Sequence, residues 1–190
     1  MTANNSPHKK HLRIAVLVRI FSISAGGAER YCASLVKQLA PQHEIHVFAQ
    51  DIRTEYPQVV FHQVPLFCRR PRWLNQIAFA CYTWWKTRNG FDVVHSHENT
   101  WHGDVQTIHV LPFSYLWFAN RHGWGLFLKY LQLVISPRLL TYWVLEKLRM
   151  RHQPGRFLVA VSEPVKKVLN IALHHKIEHI RVISPGIEAT

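Results

Sequence analysis

Acidic side chains are scarce in this sequence: 11 Asp and Glu stand against 23 Lys and Arg over 190 residues, a formal charge of +12 with histidine neutral. That imbalance favours a polyanionic partner through steering and counterion release, without saying which polyanion. Cysteine is scarce as well. Cys32, Cys68 and Cys81 are odd in number and have no Cys-x-x-Cys spacing, which argues against a disulfide framework or a thiolate zinc site, points to the cytoplasm, and reads the thiols as small buried hydrophobes. No uncharged apolar run approaches the ~18 residues that a bilayer span needs. The Gly-x-Gly-x-x-Gly dinucleotide fingerprint is absent, as are internal repeats and low-complexity segments.

What is present is apolar: 48% of positions. A domain near this size buries roughly 70% of its unfolded surface, so intrinsic disorder is excluded. The length implies one domain, because an enzyme with a cleft between two halves needs about 100 to 200 residues for each. The chain is therefore expected to supply at most one wall of such a cleft. At the start, His8-Lys9-Lys10-His11-Leu12-Arg13 followed by Ile14 to Val18 mimics a secretory signal, but Arg19 interrupts the apolar stretch too early. Residues 1–11 read as a disordered basic tail.

Leu12 to Arg19 is short, β-branched and apolar, as a parallel strand covered on both faces should be. A glycine-containing loop follows. Ala28, Cys32, Leu35 and Leu39 then recur at helical spacing until Pro41 stops them. Ile45 to Ala49, Val59 to Val64, Asp92 to His95, Val105 to Val110, Phe157 to Val161 and Ile180 to Ile183 read as further strands. Trp73 to Arg88, closed by Gly90, and Glu163 to Leu173 read as helices. The alternation predicts an α/β fold: a single Rossmann-like, doubly wound parallel sheet with helices on both faces, over 12–183. Pro112 to His152 is an aromatic, largely helical insertion.

Ligands of a doubly wound sheet bind beyond the carboxyl ends of its strands. Three segments are candidates. In Ser24-Ala25-Gly26-Gly27-Ala28-Glu29-Arg30 the glycines admit close backbone approach, and the amides that open the helix form an anion site; a plain tight turn is the alternative. His95-Ser96-His97-Glu98 follows a strand, and a His-x-His there can ligate a metal with Glu98 and His102 as further ligands. No third ligand has an enforcing spacing, so a histidine hydrogen-bonded to backbone at the sheet edge is the preferred reading. Gly103-Asp104 with Thr107-Ile108-His109 brackets the next strand, where the His109 imidazole can donate to a phosphate or sugar hydroxyl, move a proton near neutral pH, or make a structural hydrogen bond.

Taken in order, Gly26-Gly27-Ala28-Glu29-Arg30, Asp92-Val93-Val94-His95, Thr107-x-His109, Val161-Ser162-Glu163 and Val182-Ile183-Ser184-Pro185-Gly186-Ile187-Glu188 resemble the N-terminal domain of the family 4 retaining glycosyltransferases of GT-B architecture. Ser184 and Glu188 depart from the family's usual proline and aspartate. The resemblance implies an acceptor-binding half, with the nucleotide-sugar donor held mainly by a second, C-terminal domain that carries the family's paired glutamates; 184–190 would begin the linker to it. On that basis Gly26 and Gly27 line the donor diphosphate, His109 meets the transferred sugar or acceptor at the reaction centre, and Asp104 meets an acceptor hydroxyl. Glu29, Arg30, His95 and His97 join the donor-phosphate and acceptor surroundings. No general base is assigned, since the leaving phosphate is thought to take the acceptor proton in retaining members. No cofactor or metal is implied beyond the nucleotide-sugar co-substrate, and this half should be inactive alone.

The resemblance further suggests a lipopolysaccharide-core or other cell-envelope sugar transferase with a glycan or glycolipid acceptor. Within 112–152, aromatics such as Trp117, Trp124, Phe127 and Tyr130 lie among Arg121, Lys129, Arg138, Lys147, Arg149 and Arg151, a composition suited to peripheral contact with the inner face of an anionic cytoplasmic membrane. Nucleic acid is the weaker expectation. The alternatives are a non-catalytic module for anionic glycan or lipid and, more remotely, a metal hydrolase built on His95, His97 and His102.

Overall fold

The structure is a computed structural model that describes residues 10–119, 121–173 and 180–184. Residues 1–9, within the expected basic tail, and the Pro185-to-Glu188 part of the expected linker motif lie outside it.

Seven parallel strands make the main sheet. In chain order the elements are β1 (Arg13–Leu17), β2 (Ile20–Phe21), α1 (Gly27–Leu39), β3 (Glu44–Ala49), β4 (Asp51–Ile52), β5 (Val59–Gln63), α2 (Arg72–Thr87), β6 (Val93–Ser96), β7 (Val105–Ile108), α3 (Phe113–Phe118), α4 (Gly123–Ile135), α5 (Pro137–Met150), β8 (Phe157–Ala160), α6 (Glu163–Leu173) and β9 (Ile180–Val182). The main sheet runs β5-β3-β1-β6-β7-β8-β9. Chain order proceeds outward from β1 on one side and then from β6 on the other, so the reversal falls between β1 and β6, where a doubly wound fold opens its crevice.

The apolar run of β1 is explained by burial on both sides. Ile14, Val16 and Val18 pack with Cys32, Ala33 and Val36 of α1 and with Ile45 and Val47 of β3. Ala15 and Leu17 point the other way, into a cluster with Phe48 and with Phe79 of α2. Each large side chain fully buried in this way contributes about 1.5–3 kcal/mol. A third cluster joins Ile108, Leu158 and Ile180 of the sheet to Met150 of α5 and Leu169 of α6.

Two features depart from the sequence reading. The loop expected after Arg19 first forms β2, which pairs in parallel with β4; the Arg19 carbonyl accepts from the amides of both Gln50 and Asp51 at 2.9 Å, so β1 and β3 kink together and continue. Of the cysteines expected to be buried, only Cys32 is; Cys81 is exposed and Cys68 intermediate. Gly90 closes α2 as expected, with φ +87, a conformation that favours glycine.

Candidate functional site

The crevice beyond β1, β6 and β7 is built from the start of α1 and from three histidines. Helix α1 begins after Gly26, whose extended backbone (φ −163, ψ 178) carries no side chain to cap the first turn. The opening amides therefore lack the usual side-chain acceptor, the arrangement that favours an anion. A Cβ on Gly26 would come within 2.6 Å of a Glu29 carboxylate oxygen, whereas one on Gly27 meets nothing within 4 Å. Glu29 thus folds back over Gly26, and the surface above Gly27 is open. Arg30 donates from Nε to the Ile23 carbonyl at 3.3 Å, bracing the loop from behind.

Opposite this loop, His95, His97 and His109 form a continuous imidazole array. The His95 and His97 ring centres are 4.4 Å apart; His97 and His109 stack at 5.3 Å with 20° between their planes. His97 Nδ1 and His109 Nε2 share a hydrogen bond of 3.0 Å, and His95 Nε2 pairs with the Thr107 hydroxyl at 2.7 Å. Tyr31, from the second turn of α1, sets its ring against His109 at 5.4 Å and His97 at 5.9 Å, which ties the helix to the array. His97 Nε2 is buried without a hydrogen-bond partner. Whichever way the shared proton points, that nitrogen presents an unsatisfied donor or acceptor, the kind of orphan that marks a functional position.

Burial dominates the electrostatics. It depresses His95 to about 4 and His109 to about 4, with the Arg149 guanidinium adding to the effect on both; His97 is pushed well below its usual value by the same burial and by its two neighbours. All three rings are therefore neutral at pH 7. A neutral His109, half-buried at the rim, can donate or accept a hydrogen bond with a hydroxyl or phosphate oxygen. Arg149 sits beneath them, donating to the Gln106 side chain at 3.0 Å and to the Thr107 carbonyl at 2.6 Å. Burial brings the Arg149 guanidinium down to about 10, so it keeps its charge and lends the crevice floor a positive potential.

The segments singled out in the sequence do not all converge. Gly26, Gly27, Glu29, His95, His97 and His109 do. Asp104 does not: it precedes β7, its carboxylate accepting from the Val94 amide at 2.8 Å, so in a parallel strand it stands at the far end from His109, about 16 Å away over five extended residues. It braces the amino ends of β6 and β7 and is not placed to touch an acceptor in the crevice. Nor do His95, His97 and His102 meet. His102 turns to Thr83 of α2, Nε2 to hydroxyl 3.2 Å, and Glu98 is taken by Arg19, which donates its backbone amide (3.1 Å) and its Nε (2.9 Å) to the two carboxylate oxygens. Among the described residues no three His, Cys, Asp or Glu are grouped to hold a metal. Sequence reasoning missed Tyr31 and the buried role of Arg149, which had been counted with the surface cations of the insertion.

A doubly wound sheet whose crevice combines an uncapped Gly-Gly helix start with neutral histidines defines a class, the Rossmann-like units that bind anionic or hydroxylated ligands at a strand-order reversal. Within that class the chain belongs to Glycosyltransferase Family 4, which it matches over residues 25–190. Its fold is similar to the crystal structure of WaaG, a glycosyltransferase involved in lipopolysaccharide biosynthesis, with a TM-score of 0.74 at 16% identity, covering 92% of this chain and 45% of that one. The chain thus spans less than half the length of that protein, and the correspondence is to one lobe of a GT-B fold. No curated protein matches the sequence.

Proposed function

We propose that this chain is the acceptor-binding half of a retaining glycosyltransferase that moves a sugar from a nucleotide-sugar to a cell-envelope glycan or lipid-linked acceptor. The observation that carries the reading is the crevice: Gly27 and the free amides of α1 lie across from the stacked His97–His109 pair, with Tyr31 between them. In this reading the helix start receives the donor phosphate, and His109 orients the transferred sugar or acceptor by hydrogen bonding. The orphan His97 Nε2 gains its partner from the ligand. With all three rings neutral, none is charged as a general acid at pH 7, consistent with a reaction in which the leaving phosphate takes the acceptor proton. The paired glutamates that the family uses for the donor would come from a second domain. Residues 1–190 alone are expected to give no nucleotide-sugar turnover, and turnover should appear when a family donor-binding domain is supplied in trans. In that reconstituted system His109→Ala should lower the rate at least about tenfold; robust turnover by residues 1–190 alone would refute the division of labour.

The acceptor surroundings in this proposal include a membrane surface. No helix of the described residues is long and apolar enough to cross a bilayer, yet α4 presents Trp124, Val134 and Ile135 at 73%, 68% and 70% exposure. Lys129 lies 4.0 Å from the Trp117 ring centre beside them. An apolar helix face flanked by cations suits an interfacial position on anionic lipid. Flotation with anionic vesicles at low salt should carry the protein upward, and replacing Trp124 and Ile135 with serine should leave it at the bottom; wild-type protein that stays down removes the membrane from the proposal.

A further inference from the structure

A second cavity, of about 490 Å³, lies on the α2 face of the sheet over β1, β3 and β5, and none of its lining residues belongs to the crevice. Its chemistry is cationic and aromatic. Lys86, near the end of α2, has its ammonium 4.6 Å from the Trp85 ring centre and 5.8 Å from that of Tyr82, and no carboxylate pairs with it among the described residues. Arg13 is fixed from three sides: Nε donates to Glu44 at 3.0 Å, Nη1 to the Gly90 carbonyl at 3.0 Å, and the guanidinium carbon stands 5.0 Å from the Phe91 ring centre. Two carboxylates stand by Arg13: Asp92, which accepts from its backbone amide at 2.8 Å, and Glu44, which also lies 2.7 Å from His46 Nε2, so Lys86 is the cation of this cavity that has no carboxylate partner.

That last bond opens a chain of imidazoles. His46 Nε2 stands 2.7 Å from Glu44 and 3.4 Å from Arg13 Nε, its Nδ1 shares a hydrogen bond of 2.8 Å with His62 Nε2, and the two rings stack with 11° between their planes. His62 Nδ1 is left as the terminus of a Glu44–His46–His62 relay, at the cavity wall beside Lys86. In the protonated ring that nitrogen is a donor.

We propose that this cavity is a binding site for a phosphate monoester, held by Lys86, Arg13 and the protonated His62 with aromatic walls for the group that the phosphate carries. The volume falls within the range of small-ligand pockets, and converging, charge-assisted donors on a rigid frame are what a compact dianion requires. The groups that face His62 are His46 and Glu44 on β3, Arg13 on β1, and Lys86 and Tyr82 on α2. Burial first, then the positive charges of His46, Lys86 and Arg13, hold His62 below its ordinary value in the empty cavity. A seated dianion offsets those charges, so binding is coupled to proton uptake at His62. The inference does not rest on the transferase reading, and its probes contain no nucleotide or sugar.

The experiment follows histidine ring signals by NMR on the full chain while inorganic phosphate is titrated in, with sodium chloride at equal ionic strength as the control. The expected result is a saturable change at His62 with phosphate alone, a rise in the His62 pKa, and an affinity about tenfold weaker in Lys86→Met. Lys86 is exposed, so its replacement leaves the fold intact, which the amide spectrum checks. Vesicles containing phosphatidic acid, compared with phosphatidylcholine, distinguish the sources: a response to soluble phosphate supports a free phosphomonoester, and a response to phosphatidic acid alone supports a lipid headgroup on the same residues. The proposal is overturned if neither probe moves His62, if chloride moves it equally, if Lys86→Met and Arg13→Met bind phosphate as well as the wild type, or if phosphate moves only His97 or His109.

Discussion

Two histidine groups on one sheet differ in depth and in partners. The array of His95, His97 and His109 lies at the carboxyl ends of the strands, buried above a guanidinium and held neutral. The pair of His46 and His62 lies on the α2 face, tied to the Glu44 carboxylate and open to a solvent-filled cavity. What differs is not the residue but its depth. Near-complete burial, with a guanidinium adding to it, fixes the array as neutral hydrogen-bonding groups, whereas the part-exposed His62 is depressed less and keeps one nitrogen at the cavity wall.

The contrast is broken most severely at Arg149. Arg149→Met keeps the length of the side chain but strands two buried acceptors, the Gln106 amide oxygen and the Thr107 carbonyl. At about 1–3 kcal/mol for each unsatisfied group, a loss of about 2–6 kcal/mol is expected in a urea melt at pH 7. The same variant should raise the pKa values of His95 and His109, since the guanidinium helps to depress both; histidine signals that titrate as in the wild type would show that burial acts alone.

Acid should separate the two groups without any mutation. His95 sits at about 4 in the folded chain against an ordinary 6.5, so between those values the unfolded chain binds the extra proton. Its contribution, about 3 kcal/mol, is complete above pH 6.5 and is lost as the pH falls from about 6.5 to 4. Stability measured by denaturant across that window should fall steeply. The smallest effect belongs to the open pair: burial depresses His62 as well, but less than the array, so a His62→Asn variant should flatten the curve only slightly. A curve that flattened strongly in His62→Asn would move the acid sensitivity from the crevice to the cavity.

Much of this was legible in the residues. The strands announced themselves because parallel strands buried on both faces are runs of β-branched and aliphatic residues, and the α1 stripe of Ala28, Cys32 and Leu35 has one period only. The Gly26-Gly27 loop and His109 stand out in the sequence because both follow strand ends. Asp104 was misplaced although the signal was there: it precedes Val105, and in a parallel strand the preceding residue is at the end away from the ligand. Strands β2 and β4 are two residues each, too short to carry any period. Arg149 could not be told from its basic neighbours, since burial of one cation in a helix depends on what the sheet offers beneath it, here Gln106 and Thr107. Tyr31 follows Arg30 on α1 with nothing in its local pattern to mark it, and only the tertiary approach of β6 and β7 gives it partners.

Helix α5 has a consequence for how the molecule can be varied. Near its end Glu146 accepts the amides of Phe113 and Ser114, where the insertion leaves the sheet. One turn on, Arg149 reaches under the histidines, and the Arg156 guanidinium just beyond the helix gathers the carbonyls of Trp101, Gly103, Leu148 and Arg149. The insertion is therefore two parts with different freedoms. Its outward helix α4 buries Leu133 and stacks Tyr130 on Phe118, while Trp124, Val134 and Ile135 face outward and can be exchanged without touching either contact. Its returning helix α5 is a keel, and any change to that outward face must leave α5 seated on the sheet.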